Sequence, residues 1–252
     1  MRILKNLFKF FGDDIPYFAA SLSFFTIFSL LPIVALIIVI MSSTSYFEGY
    51  IDLIMLYIFD FINPTHSQTI TNNINHFMTN INELGNLGIF YLLFVFTIFF
   101  KDYEYIVNRI HNSPKLNFIS MIMLYITFLI LVPFIIVVFT LLSSFIVLNV
   151  YTIILHSFIA LLVLTILFKI SANTSVSIKA AFISAFVTLG ALKLTKALFS
   201  YYIALNTTYA TIYGTMSVLL FGLLWVYISW MVYLYGIKLC YLLNQRYKNH
   251  EN

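Results

Sequence analysis

The chain has 252 residues, of which 62% are hydrophobic and only 9% are charged, with a formal net charge of +4. A soluble domain carries roughly 25% charged residues, so this composition excludes an ordinary soluble protein and indicates a membrane protein with several spans. In such a protein, a positive balance follows from topology and contact with anionic lipid, and no nucleic-acid partner is expected.

The chain begins with a basic amphipathic segment, residues 1–12, which we expect to lie as a helix on the cytoplasmic leaflet. The first span runs from about Tyr17 to Met41 and contains Pro32, which predicts a kink. Hydroxyl side chains near it, including Ser23 and Ser29, are suited to bond the backbone groups that a kink leaves open.

Residues 42–85 are too polar to form a continuous span, and we predict a partly helical periplasmic loop with interfacial helices. No lysine or arginine occurs between Lys9 and Lys101, whereas acids do occur there. Because basic residues are retained on the cytoplasmic side, this loop is predicted to be the translocated one.

Five further apolar segments each have the roughly 20 residues that crossing a membrane requires. An even total of six spans returns the tail, 244–252, to the side of the N-terminus, which predicts cytoplasmic termini. The expected fold is therefore a single all-α membrane domain, 1–252, with six transmembrane helices. The approximate segments are 84–100 with a cytoplasmic extension to 111, one beginning near 118 and containing Pro133, 151–169, 178–203 and 214–243.

Two cations lie deep in the fifth span. Lys193 and Lys196 share one helix face and, at 1.5 Å per residue, lie roughly 20–25 Å from Lys179 at the inner end. Burying ammonium groups in hydrocarbon is unfavourable. Two interpretations stay open: the side chains extend to the outer headgroups, or they line a cavity and bind an anionic group such as a lipid phosphate or a carboxylate.

A polar cluster is predicted on the cytoplasmic extension of the second span, from Asp102, Glu104, Asn108 and Arg109. Glu104 and Asn108 share a face, which favours a structural network between helices over a proton-transfer site. The histidines lack metal-ligand spacing, Cys240 is the single cysteine, and no nucleotide-binding or hydrolase motif occurs. We expect no metal, no cofactor and no catalytic residue.

Several motifs occur in order along the chain: Ala19 to Pro32, Gly88, Asn108-Arg109-Ile110, Ile212-Tyr213-Gly214, Trp225-Val226-Tyr227 and Leu234-Tyr235-Gly236. Together they resemble the YihY/BrkB family of bacterial inner-membrane proteins, and this resemblance implies a location in the bacterial inner membrane. The resemblance implies a shared role for Lys196, Phe199 and Tyr202, which match a Lys-x-x-Phe-x-x-Tyr pattern in the family's fifth helix. The chain departs from the family at His111, where tryptophan is usual, and at Lys238, where the family commonly has glutamate.

The resemblance also brings the label ribonuclease BN, but RNA cleavage needs positioned acid–base groups or metal-bound water. The densest acidic segment is predicted to face away from cytoplasmic RNA.

Our leading hypothesis is a non-enzymatic transporter or lipid-handling protein, whose cavity holds an anionic amphiphile or envelope precursor. The cavity would open at kinks at Pro32 and Pro133, with a lining of Lys193, Lys196, Tyr202, Ser23 and Ser29. An envelope scaffold is the first alternative function, and a membrane ribonuclease is the second. Assembly into a homo-oligomer stays open.

Overall fold

The computed structural model describes residues 14–42, 85–114, 117, 149–205 and 215–251. These residues form helices, and a short irregular segment at residues 171–177 joins two of them. The predicted lead-in helix at 1–12, the interior of the loop at 43–84 and the third span with Pro133 lie outside the described residues. The helices are α1 (Ile15–Ser42), α2 (Gly85–Ile110), α3 (Asn149–Ile170), α4 (Ile178–Leu205) and α5 (Thr215–Glu251).

The helix bounds follow the apolar segments closely, with one clear difference at the end of the chain. The last helix was predicted to end near Leu243, whereas α5 continues to Glu251. Residues 244–251 contain no glycine or proline, so nothing in them stops a helix where the apolar segment ends. The predicted cytoplasmic tail is therefore mostly helical.

Two helices of the described part are long and apolar enough to cross a membrane, over Ile178–Ile203 and Leu220–Lys248. Shorter apolar helical segments occupy Ile15–Phe28 and Ile154–Ile170. Large apolar side chains project outward from α4, and Phe186 is 64% exposed. An outward surface of this kind is costly in water and is expected in contact with lipid.

The contacts between helices set their directions. α1 runs antiparallel to α2, α3 antiparallel to α4, and α4 antiparallel to α5, whereas α2 and α5 are parallel. The pairs Asp14–Arg109 and Ser21–Asp102 establish this for α1 and α2, and Phe99–Trp230 and Asn112–Tyr241 for α2 and α5. Ser177–Asn244 and Phe199–Trp225 establish it for α4 and α5. For α3 and α4, the short connection at residues 171–177 and the pair Ser157–Lys193 do so. α2 and α3 thus point the same way, which is the arrangement that a span between them requires.

One end of the bundle collects the start of α1, the ends of α2 and α3, the start of α4 and the second half of α5. We call it the basic end, because most of the described lysines and arginines lie in this half of the bundle. They are Lys101, Arg109, Lys169, Lys179, Lys238, Arg246 and Lys248. The main hydrophobic core lies here too, around residues such as Val107, Phe168 and Leu234.

Small residues bring α3, α4 and α5 into close contact within this core. Ala180, Ala181 and Ala185 on α4 are completely buried, as is Ser184 between them. A Cβ atom on Gly236 of α5 would lie 2.1 Å from Thr188 Oγ1 and 2.9 Å from Phe168 Cζ. The small face of α4, which favours close packing, is therefore used within the chain.

Candidate functional site

The two lysines of α4 lie on the outward side of the bundle, next to α3. Lys193 donates a hydrogen bond from Nζ to Ser157 Oγ of α3. Lys196 follows one turn later and is also exposed. Apolar neighbours on the same helix, Leu194 and Leu198, are exposed as well. The pair thus combines two positive charges with an apolar surface at the boundary between two helices.

These two lysines are separated from the other described cations along the bundle axis. Lys179, on the same helix, marks the basic end, and Lys193 and Lys196 lie roughly 20–25 Å farther along α4. The hydrocarbon core of a bilayer is about 30 Å thick. If the basic end lies at one membrane surface, the lysines lie in the opposite leaflet, close to its headgroups.

The other predicted lining residues are placed differently. Ser23 is buried on α1 and donates to the carbonyl oxygen of Ala20, 2.8 Å away, in its own helix. Tyr202 is half exposed on α4, with its ring edge-on to Phe221 at 6.4 Å between centroids. The side chains of Ser29 and Pro32 lie outside the described part. The described bonds therefore tie Ser23 to α1 and Lys193 to α3.

The predicted polar cluster separates into distinct sets of contacts, the first centred on Asn108. The Asn108 side chain donates from Nδ2 to Glu104 Oε1 at 2.8 Å. Its Oδ1 accepts from the backbone N–H of Asn173 at 2.8 Å and from Ser113 Oγ at 2.7 Å. Asn108 and Glu104 are buried. One amide thus joins α2, the turn after it and the connection between α3 and α4.

Asp102 and Arg109 face other partners. Asp102 accepts a hydrogen bond from Ser21 Oγ of α1 at 2.7 Å. Arg109 is exposed, donates to Tyr105 Oη at 2.8 Å and pairs with Asp14 at 3.4 Å. These contacts join α1 to α2 at the surface of the basic end. An exposed ion pair of this kind contributes little to stability.

A second asparagine, Asn244 of α5, holds the α3–α4 connection from its other side. Its Oδ1 accepts from the backbone N–H of Ser177 at 2.9 Å, and its Nδ2 donates to the carbonyl oxygen of Ser175 at 3.0 Å. Ser177 caps α4, because its Oγ accepts from the N–H of Ala180 at 3.2 Å. The cap was not predicted, although a serine directly before an apolar helix is a signal for one.

Buried hydroxyl groups complete this end of the bundle. Tyr103 Oη of α2 lies 2.8 Å from Ser171 Oγ and 2.7 Å from Tyr233 Oη of α5. Farther along, Trp230 Nε1 donates to Thr26 Oγ1 of α1 at 2.8 Å. These contacts of Tyr103, Tyr233 and Trp230 were not predicted, because a tyrosine or tryptophan in an aromatic-rich chain gives no sign of its partner.

His111 lies in the turn that ends α2, with its ring edge-on to that of Tyr241 at 5.6 Å between centroids. The imidazole is buried, and within the described part of the chain neither ring nitrogen has a hydrogen-bond partner. Burial disfavours the charged form and lowers the pKa of His111 to about 4. No group of three potential metal ligands occurs among the described residues.

Comparison with known proteins gives a consistent result. The family model described as virulence factor BrkB matches residues 7–252. A UPF0761 membrane protein of Mannheimia succiniciproducens is 28% identical over 95% of this chain and 90% of its own length. One of Alteromonas mediterranea is 27% identical over 98% of this chain and 91% of its own length. One of Legionella pneumophila is 26% identical over 92% of this chain, which spans only 59% of that relative. No solved structure matches the chain.

Proposed function

The chain belongs to the virulence factor BrkB family, and from this premise we propose that it is a non-enzymatic membrane protein that binds and moves an anionic amphiphile. The observation that carries the proposal is the placement of Lys193 and Lys196, exposed among apolar residues of a helix long enough to cross a membrane. Such residues are costly in hydrocarbon and are retained where they meet water, a counter-ion or a headgroup.

The basic end supports an inner-membrane topology with cytoplasmic termini and six spans. Lysines and arginines gather where α1 begins and α5 ends, and this is the side that the positive-inside rule assigns to the cytoplasm. With that orientation, the lysine pair of α4 belongs to the periplasmic leaflet. Because α2 and α3 point the same way, an odd number of spans must lie between them, and one such span agrees with a total of six.

The contacts at the basic end favour a binding role over an enzymatic one. Glu104 is buried and bonded to Asn108, so this carboxylate serves the packing of α2. Asp102 is bonded to Ser21 and also links helices. A hydrolytic mechanism would require an acid–base group directed at a substrate. The positive charge of the lysine pair, in contrast, is directed outward.

The proposal is tested with purified protein in vesicles that contain a fluorescent anionic phospholipid. The variant Lys193→Gln with Lys196→Gln removes both charges, and Lys179→Gln removes an exposed charge of the same helix at the basic end. We expect the double variant to slow movement of the labelled lipid between leaflets at least tenfold, while the Lys179 variant moves it at the native rate. Native rates in the double variant would overturn the proposal and favour the envelope scaffold.

A further inference from the structure

The boundary between α3 and α4 carries a polar group of side chains, which we call the seam: Ser157 of α3, and Lys193, Lys196 and Ser200 of α4. On α4 these residues are spaced by three, four and seven positions, so they share one face of the helix. Ser157 accepts the hydrogen bond of Lys193 and so holds that ammonium group beside α3. The three seam residues of α4 are exposed.

Toward the basic end, the same face of α4 becomes apolar. Phe186 and Phe182 lie about 10 and 16 Å before Lys193 along the helix. Both side chains are exposed, at 64% and 45%. On α3, Phe158 and Leu162 are also exposed. Along the axis of α4 the surface thus changes from two positive charges to exposed apolar side chains, over a distance comparable with the length of an acyl chain.

This order of charged and apolar surface along α4 matches one ligand, a membrane phospholipid. A phospholipid of the leaflet opposite the basic end has its phosphate at the depth of the seam and its chains directed toward the bilayer centre. Lysine has a flexible four-carbon stem and donors that rotate freely, so both ammonium groups are able to reach toward one phosphate. A free phosphate ion would lose its hydration at the apolar surface without the burial of chains that offsets this loss.

We propose that the seam is a lateral binding site for an anionic phospholipid, entered from the bilayer between α3 and α4, and that Ser157 is a positioning residue for Lys193. This inference rests on the proposed function, because the lipid bound at the seam is the amphiphile that the protein moves. A zwitterionic headgroup adds a positive charge beside the lysines, so phosphatidylglycerol should bind better than phosphatidylcholine.

The experiment measures lipid bound to the purified full chain by native mass spectrometry, after equilibration in nanodiscs with equal amounts of phosphatidylglycerol and phosphatidylcholine. We expect at least a fivefold preference for phosphatidylglycerol in the native protein. Ser157→Ala should reduce this preference about threefold, and Ser157→Thr, which keeps the hydroxyl, should restore it. Lys193→Gln with Lys196→Gln should abolish it, and Lys179→Gln should leave it unchanged. Inorganic phosphate at millimolar concentration should not compete.

The outcomes separate this inference from the function on which it rests. If the double lysine variant loses both lipid movement and lipid preference, but Ser157→Ala keeps both, the lysines act without the seam and the inference is wrong while the function stands. An equal loss of the preference for phosphatidylglycerol in Lys179→Gln would indicate that anionic lipid is attracted to basic residues in general. It would also overturn the inference that the seam is the binding site. Competition by inorganic phosphate would identify an anion site in place of a lipid site. Thermal unfolding of each variant serves as the folding control.

Discussion

Several polar side chains are buried and hydrogen-bonded within the protein at the basic end, whereas the lysines of the seam are exposed. At the basic end, Asn108, Tyr103 and Asn244 are inside the bundle, and each bonds groups from other segments. At the seam, Lys193 has a serine partner in the protein but remains exposed, as Lys196 does. Buried polar groups must be paired within the protein, because an unpaired group is expensive there. Outward charges are suited to a partner from outside.

This contrast assigns different roles to residues that look alike in the sequence. Asn108 and Lys193 are both polar residues on apolar helices. Removing the first should damage the fold, and removing the second should damage binding. Measurements of stability and of binding on the same set of variants therefore test the comparison directly.

The largest effect is expected for Asn108→Ala. The change removes three side-chain hydrogen bonds at once, those to Glu104 Oε1, to Ser113 Oγ and to the Asn173 N–H. A hydrogen bond contributes about 1 kcal/mol, and the buried position of Asn108 raises the cost, so we expect a loss of roughly 3–4 kcal/mol in the free energy of unfolding. Denaturant unfolding in detergent measures it. Asn117→Ala, at an exposed position, is the control and should change stability little.

The next effect is a loss of stability in acid that depends on His111. Its pKa is lowered to about 4 in the folded protein, from an ordinary 6.5. A lowered pKa means that the neutral form stabilises the fold: the contribution is complete above pH 6.5 and disappears as the pH falls toward 4. The full difference is about 3 kcal/mol.

The measurement is the free energy of unfolding between pH 7.5 and pH 4, for the native protein and for His111→Phe. The phenylalanine variant keeps an aromatic ring against Tyr241 but has no titrating group. Its stability should fall less than that of the native protein over this interval. If the free energy of unfolding fell equally with pH in the two proteins, protonation of His111 would not destabilise the fold and the prediction would be wrong.

A smaller effect is expected where α3, α4 and α5 meet. In Gly236→Ala, the new Cβ would lie 2.1 Å from Thr188 Oγ1, so α4 and α5 must move apart. We expect a loss of about 1–3 kcal/mol, measured by thermal unfolding in detergent. Gly190→Ala is a matched control on α4, because nothing lies within 4 Å of its Cβ position. Alanine there should leave stability unchanged or raise it by up to about 1 kcal/mol.

The smallest effect on stability is expected for Lys193→Gln with Lys196→Gln. Both side chains are exposed, so their replacement in lipid-free detergent should change the free energy of unfolding by less than about 0.5 kcal/mol. Added phosphatidylglycerol should raise the melting temperature of the native protein more than that of the variant, since a ligand stabilises the state that binds it. An equal rise in both proteins would contradict the role given to the lysines.

Much of the fold was predictable, because composition alone identifies apolar segments of about 20 residues as helices that span a membrane. The predicted segments at 17–41, 84–111 and 178–203 correspond to α1, α2 and α4 within a few residues. The extension of α5 to Glu251 was missed, because the end of an apolar run marks the membrane surface and not the end of a helix. The family prediction made from the ordered motifs is confirmed.

The candidate site was less predictable. Glu104 and Asn108 were expected to share a face, and the structure shows them bonded, yet Asp102 and Arg109 were grouped with them and have separate partners. Ser23 was predicted to line a cavity with the lysines, which stays a prediction, and its described hydrogen bond lies within α1. Ser157, which holds Lys193, carried no signal at all in the sequence.

The amino-acid sequence by itself determined which segments are apolar helices and which residues gather at one end, because composition and charge act locally along the chain. The tertiary structure decided which side chains meet. In a soluble helix an apolar stripe identifies the buried face, but a helix in lipid is apolar all round. The partners of Asn108, Tyr103 and Lys193 therefore became visible only when the helices were packed together.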